Sequence, residues 1–147
     1  MQREAGLSSS EIVATLRERG YRVTAPREAI VEAITSLDRP FSADDLLQYL
    51  GDRDAGVGRA TVFRTLDVLV SLRLLDRIHA SDGCHSYVLA LGQSRHYHHL
   101  ICNRCGTVVP FESCNIESLY PVVSAQTDFQ ISGHMLELFG LCGACRA

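Results

Sequence analysis

The chain contains no lysine, and all 14 of its basic residues are arginines. It also lacks an excess of positive charge, carrying a formal net charge of −3 at pH 7. Bulk electrostatics therefore do not announce a nucleic-acid binder, although a local arginine stripe can coexist with an acidic remainder. No apolar run approaches the roughly 20 residues that a membrane-spanning helix needs, and no membrane partner is expected. No apolar signal segment follows Met1-Gln2-Arg3-Glu4. That absence predicts a reducing, cytoplasmic setting and counts against disulfides.

What is present is ordinary in bulk and uneven in distribution. With 147 residues, 46% hydrophobic and 21% charged, the chain can bury one good core or two small ones. Eleven of the arginines precede Leu91, from Arg3 to Arg77, whereas all six histidines and all six cysteines follow Arg77. The chain thus divides into an arginine-rich first part and a second part rich in metal-ligand side chains.

The densest stretch runs from His96 to Cys105 and places three imidazoles and two thiols in ten positions. A second Cys-x-x-Cys pair, Cys142 and Cys145, closes the sequence, with 36 residues between Cys105 and Cys142. Two intervening residues let a tight knuckle turn both sulfurs of a pair onto one ion, so the two pairs together offer Cys102, Cys105, Cys142 and Cys145 as tetrahedral thiolate ligands of a structural zinc. Redox chemistry is the competing reading, but a thioredoxin-like motif belongs at the start of a helix in a βαβ unit, and neither pair has that setting. Cys84 and Cys114 stand apart in sequence and read as small packed or half-exposed thiols.

Local signals predict the elements. Ser8 and Glu11 form a capping box before a helix over about 11–19 with Ile12, Val13 and Leu16 on one face. Thr24 and Pro26 start a second helix buried through Ile30, Val31 and Ile34. Ser42 and Asp45 start a third, faced by Leu46, Leu47 and Leu50 and ended at Gly51. A fourth spans about 59–72, with Val62, Leu66 and Leu69 inward, Ala60, Arg64, Asp67 and Ser71 outward, and Phe63 at the boundary. The period then changes: 75–79 and 84–89 read as strands around an Asp82-Gly83 hairpin turn. Several short helices followed by a hairpin suggest a winged helix, whose last helix enters a DNA major groove. Gly92-Gln93-Ser94 is the plausible linker. Beyond it, 98–102 and 108–111 read as strands, 116–125 as a helix that Pro121 must kink or shorten, and 129–141 as a third strand delivering Cys142. The predicted class is α+β, with a winged-helix DNA-binding domain over 1–91, a hinge at 92–94, and a small α/β metal-binding and dimerisation domain over 95–147.

This arrangement resembles the ferric uptake regulator superfamily of bacterial metal-responsive repressors. Four ordered blocks carry the resemblance: Tyr21-Arg22-Val23-Thr24 with Pro26-Arg27; Ala60 to Leu66; His96 to Cys102; and Gly133-His134 with Leu136 to Gly140. The resemblance implies a regulatory metal site at His96, His98, Glu117 and His134. His96 and His98, two apart, project from the same face of an extended segment, and imidazoles with one carboxylate suit Zn(II), Fe(II), Mn(II) or Co(II). Relatives often carry another regulatory site, and here the sequence departs from the pattern: Pro40-Phe41, Tyr97, Val88 and Pro110 stand where ligands are usual, and only His99 remains. Zinc-sensing relatives take ligands from the hairpin, which makes Asp76 and His79 candidates with His99. Their thiolate position falls at Ala90, so Cys84 serves only as a displaced substitute, with His85 a spare.

For DNA, the resemblance points to the fourth helix. Arg59 and Thr61 can meet phosphate, Arg64 faces outward, and Phe63 can touch thymine methyls. Many relatives have tyrosine where Phe63 stands, so one hydroxyl contact is missing. Arg22 matches a residue placed in narrow A·T-rich minor grooves. The resulting expectation is a homodimeric repressor of operator DNA whose metal loading fixes the spacing of two winged helices, through a coupling of about 1–3 kcal/mol. It would control metal homeostasis of the iron or zinc uptake type. A peroxide-sensing repressor of the same superfamily is the alternative. A metalloenzyme is disfavoured because four protein ligands leave no open coordination position. A zinc-ribbon interaction module is disfavoured by the arginine-bearing fourth helix.

Overall fold

The structure is a computed structural model that describes residues 6–79, 84–91, 96–112 and 114–147. It divides into two compact units, Met1–Ser94 and Arg95–Ala147. The expected hinge at 92–94 and the apex of the expected hairpin at 80–83 lie outside the described residues.

Four helices build the first unit: α1 (Ser9–Glu18), α2 (Ala25–Ser36), α3 (Ala43–Gly51) and α4 (Arg59–Ser71). Each start has a local cause. The Ser8 side chain accepts from the Glu11 backbone N–H while Glu11 accepts from the Ser8 N–H at 2.7 Å, and Ser42 and Asp45 repeat the arrangement at α3. Two otherwise unpaired donors are satisfied at each end. Pro26 sits in the first turn of α2, where its missing N–H costs nothing. Gly20, at φ +80°, turns the chain out of α1 in the left-handed conformation that glycine adopts without strain.

The helices bury one face each: Ile12 and Leu16 on α1, Ile30, Val31 and Ile34 on α2, Leu46 and Leu50 on α3, Val62, Leu66 and Leu69 on α4. Thr65 joins the inward face of α4 with its hydroxyl unbonded, and Leu47 on α3 is only partly covered. Strands β1 (Leu75–His79) and β2 (His85–Leu89) pair antiparallel, Leu75 opposite Leu89 and His79 opposite His85. A feature that helix and strand periodicity did not reveal anchors this hairpin. Phe41 bridges Tyr87 through two backbone hydrogen bonds of 3.1 and 2.8 Å, and their rings stack 5.9 Å apart. The unit is a winged helix.

The second unit contains β3 (His98–Cys102), β4 (Val108–Phe111), a 3-10 turn (Ile116–Leu119), α5 (Tyr120–Thr127), β5 (Glu137–Gly140) and the short α6 (Gly143–Arg146). Strand β3 is central, antiparallel to β4 and parallel to β5. Pro121 interrupts the helix expected over 116–125, as anticipated: a 3-10 turn precedes it, and it takes a first-turn position of α5, where no donor is required. One expectation needs correction. The strand expected over 129–141 is regular only over Glu137–Gly140, where β3 supplies a partner through His99 to Cys102. Among the described residues of this unit only His98, Ile101 and Cys102 are buried, while Phe129 is 72% and Met135 81% exposed.

The capping box of α3 makes a testable contribution. Hydrogen bonds from the Ser42 backbone N–H, and then from its hydroxyl, hold the Asp45 carboxyl below its ordinary range. A depressed carboxylate stabilises the folded state above its unfolded pKa, and that contribution is lost as pH falls through the folded value. Ser42→Ala is expected to cost about 1 kcal/mol in urea unfolding at neutral pH. The difference from the parent should narrow below about pH 4.

Candidate metal centres and nucleic-acid interface

Strands β3 and β5 run side by side and each ends at a cysteine knuckle. Cys102 is the last residue of β3, and the chain folds back at once: Gly106, at φ +72°, donates to the Cys102 carbonyl at 2.9 Å. The Asn103 N–H reaches the Gly140 carbonyl at 2.8 Å, which brings the residues after β5 alongside. The Cys142 N–H then points at the Cys102 sulfur, 3.4 Å away, and Cys145 closes a helical turn onto the Cys142 carbonyl at 2.9 Å. Arg104 ties the knuckles together by donating to the Cys145 carbonyl at 2.6 Å.

The four sulfurs lie within 4.8 Å of one another, and Cys105 and Cys142 approach to 3.7 Å. A tetrahedron with sulfur about 2.3 Å from its centre has edges of about 3.8 Å, whereas a disulfide needs about 2.05 Å. The spacing is that of ligands around a common point, and none of the four is disulfide-bonded. Electrostatics agree. Backbone N–H groups of Cys142, Cys105 and Arg104 pull the Cys102 thiol down to about 6. Thr107 lowers Cys105, while hydrogen bonding to Cys142 and burial push Cys145 up to about 12. The Cys102 thiolate is well supported, while the Cys145 thiol resists ionising beside it. A divalent cation at the centre would remove that conflict.

A second cluster forms where β3 begins. The Nε2 atom of His134 lies 3.1 Å from that of His96 and 3.2 Å from that of His98, and 3.3 Å from the Cys114 sulfur. All four donor atoms fall within 4.8 Å of one another. The outer sides of two rings are already occupied. Nδ1 of His134 meets the Tyr120 hydroxyl at 2.5 Å, and His98 bonds the Leu136 backbone. Burial, followed by the neighbouring imidazoles, lowers the His98 pKa and favours its neutral, ligating form. Three ring nitrogens facing one point have too few protons to satisfy each other as hydrogen bonds and suit a shared cation.

The structure therefore brings together His96, His98 and His134 of the expected regulatory set. Glu117 is exposed on the 3-10 turn and is not among the four converging atoms. Cys114, expected to be an isolated thiol, is among them, and Tyr120 was not anticipated. The hairpin register held the signal: His98 pairs with Phe111, so the residues just after Phe111 return to the start of β3. Of the other candidates, Asp76 and His79 lie on β1 and the exposed Cys84 just ahead of β2, all in the first unit, while His99 belongs to the second. The His79 ring stands 5.0 Å from that of His85, and the His99 ring 5.5 Å from that of Tyr97.

On the first unit, α4 opens at Gly58 with no side-chain cap and no acidic residue in its first turn, leaving N–H groups suited to an anion. Arg59 holds Asp44 at 3.0 Å and lies 5.1 Å over the Phe63 ring, which is 38% exposed. Arg64 is exposed and bonds the Ala60 carbonyl at 3.2 Å, while Thr61 is half-buried. Arg22 is exposed, its carbonyl accepting from Arg27 at 2.7 Å.

Residues 18–139 match the model of the ferric uptake regulator family. The chain is 32% identical over 132 residues to the ferric uptake regulation protein of Bacillus subtilis, covering 88% of this chain and 89% of that protein. It is 26% identical to the peroxide-responsive repressor PerR of Staphylococcus epidermidis, over 92% of this chain and 89% of that protein. A solved zinc uptake regulator complexed with zinc and DNA superposes with a TM-score of 0.72 at 26% identity, covering 95% of this chain and 96% of that one. With a winged helix in its first unit and two convergent sets of soft and borderline ligands in its second, the chain belongs to the ferric uptake regulator family, whose members are metal-responsive transcriptional regulators and not enzymes.

Proposed function

We propose that the protein is a cytoplasmic, homodimeric repressor that binds double-stranded operator DNA when a divalent metal occupies its regulatory centre. Zinc held by Cys102, Cys105, Cys142 and Cys145 is the structural ion. His96, His98 and His134 hold the regulatory one, with Glu117 and Cys114 as the side chains from which a fourth donor can come. The observation that carries this reading is the convergence of three Nε2 atoms: those of His96 and His98, which open the second unit, lie 3.1 and 3.2 Å from that of His134. An ion there orders the start of β3, the segment through which a DNA-binding unit is attached. Zinc, Fe(II) or Mn(II) is the candidate signal, in keeping with the metal names of the relatives. Asp76, His79, Cys84 and His99 remain the candidate members of a second regulatory site.

On DNA, α4 is the reading helix. Arg64 and Phe63 face base edges, Arg59 and Thr61 the phosphates, and Arg22 the minor groove. The similarity to a zinc uptake regulator solved with DNA supports this assignment. Dimerisation rests on the second unit. Exposed Leu119, Val122, Leu138 and Phe139 accompany Phe129 and Met135, and an apolar surface of this kind beside a short edge strand needs a cover. A second copy supplies it and sets two winged helices on adjacent half-sites.

Three measurements follow. In fluorescence anisotropy with operator DNA, His98→Ala is expected to abolish the metal-dependent gain in affinity, about 5- to 150-fold in such couplings; undiminished metal dependence contradicts the reading. Arg64→Ala should weaken operator binding by about 1–3 kcal/mol with the metal response retained. In sedimentation, the parent should be a dimer and Phe139→Asp should shift it towards monomer. A parent that sediments as a monomer at micromolar concentration contradicts the dimer.

A further inference from the structure

We propose that the fourth donor of the three-imidazole centre is the Cys114 thiolate, in place of the Glu117 carboxylate, and that the centre therefore selects zinc over Mn(II) and Fe(II). This rests on reading the three imidazoles as the regulatory site, and it names the class of metal that the site takes.

Topology places the sulfur there. Strand β4 returns antiparallel along β3 with Phe111 opposite His98, so Cys114, three residues on, comes level with the start of β3. Its sulfur lies 3.3 Å from the His134 Nε2. A tetrahedral ion with nitrogen about 2.05 Å and sulfur about 2.3 Å away has N–N edges of about 3.3 Å and N–S edges of about 3.5 Å. The observed separations of 3.1, 3.2 and 3.3 Å are each within a few tenths of these. Glu117 is exposed on the 3-10 turn and is not among the converging donors, whereas the Tyr120 phenol is in place beside them. That phenol holds Nδ1 of His134, which leaves Nε2 directed at the site. The Tyr120 phenol thus occupies the outer side of a ligand while Cys114 shares its inner side.

Donor chemistry supplies the consequence. Three imidazoles and one thiolate form a closed four-coordinate set with a soft member, which suits zinc and cobalt. Manganese and ferrous iron favour oxygen donors and higher coordination.

The test uses full-length protein stripped at the imidazole centre by mild chelation and titrated with Co(II), read by absorption. The parent is expected to develop a sulfur-to-cobalt charge-transfer band in the near ultraviolet together with tetrahedral visible bands. Cys114→Ser should lose the charge-transfer increment and bind zinc about tenfold more weakly or worse, and Glu117→Gln should keep both. Cys114→Asp should bind Co(II) without the charge-transfer band and gain in Mn(II) affinity relative to zinc, which separates loss of the sulfur from loss of folding. A parent without the charge-transfer band, a band at full strength in Cys114→Ser, or its loss in Glu117→Gln overturns the proposal. If cobalt promotes operator binding without that band, the regulatory reading stands and the Cys114 assignment fails. If the band forms and operator affinity does not move, the assignment stands and the regulatory reading fails.

Discussion

The convergence of four sulfurs at the ends of β3 and β5 is the constraint on which the second unit depends. Parallel neighbours require a long connection, here everything from β4 through α5, and closing it has an entropic cost that side-chain burial must offset. Very little is buried: His98, Ile101 and Cys102 among the described residues of this unit. A unit of this size with so small a core needs another source of stability, and metal ligation and association are the two means that small domains use. On our reading this one uses both. The ion joins the two strand ends, and a second copy covers the apolar side chains that the fold leaves outside.

The first unit rests on different physics. Its helices bury continuous stripes of Ile, Leu and Val, and reciprocal caps at Ser8–Glu11 and Ser42–Asp45 settle where α1 and α3 begin. No metal is required for any of this. The outer face of α4 is free to carry Arg59, Arg64 and Phe63 because Val62, Thr65, Leu66 and Leu69 form the buried side. On the proposed assignment, metal chemistry and groove-reading chemistry occupy separate units of one chain. On our reading, regulation consists of coupling them through the segment that opens with His96.

Much of this organisation is legible in the amino-acid sequence because its signals are local. Capping boxes, a first-turn proline and 3.6-residue apolar spacing identify α1 to α4 to within a residue or two, and the four-cysteine cluster follows from knuckle spacing alone. What was not legible depends on partners distant in sequence. The strand around Glu137 stops where β3 stops offering hydrogen bonds, a limit invisible in an alternating pattern that runs on from Phe129. Phe41 lies just ahead of the Ser42 helix start with no strand pattern around it, yet its backbone pairs with Tyr87. Cys114 looked isolated because its neighbours His96, His98 and His134 are set beside it by hairpin register and by a crossover, neither of which spacing encodes.

X-ray absorption at the zinc edge, on full-length protein carrying one zinc per chain after mild chelation, addresses the central claim most directly. A first shell of four sulfur atoms at about 2.3 Å, unchanged when His96, His98 and His134 are replaced, is the expected result. A shell containing nitrogen or oxygen, or protein that folds and dimerises with no zinc at all, would contradict it.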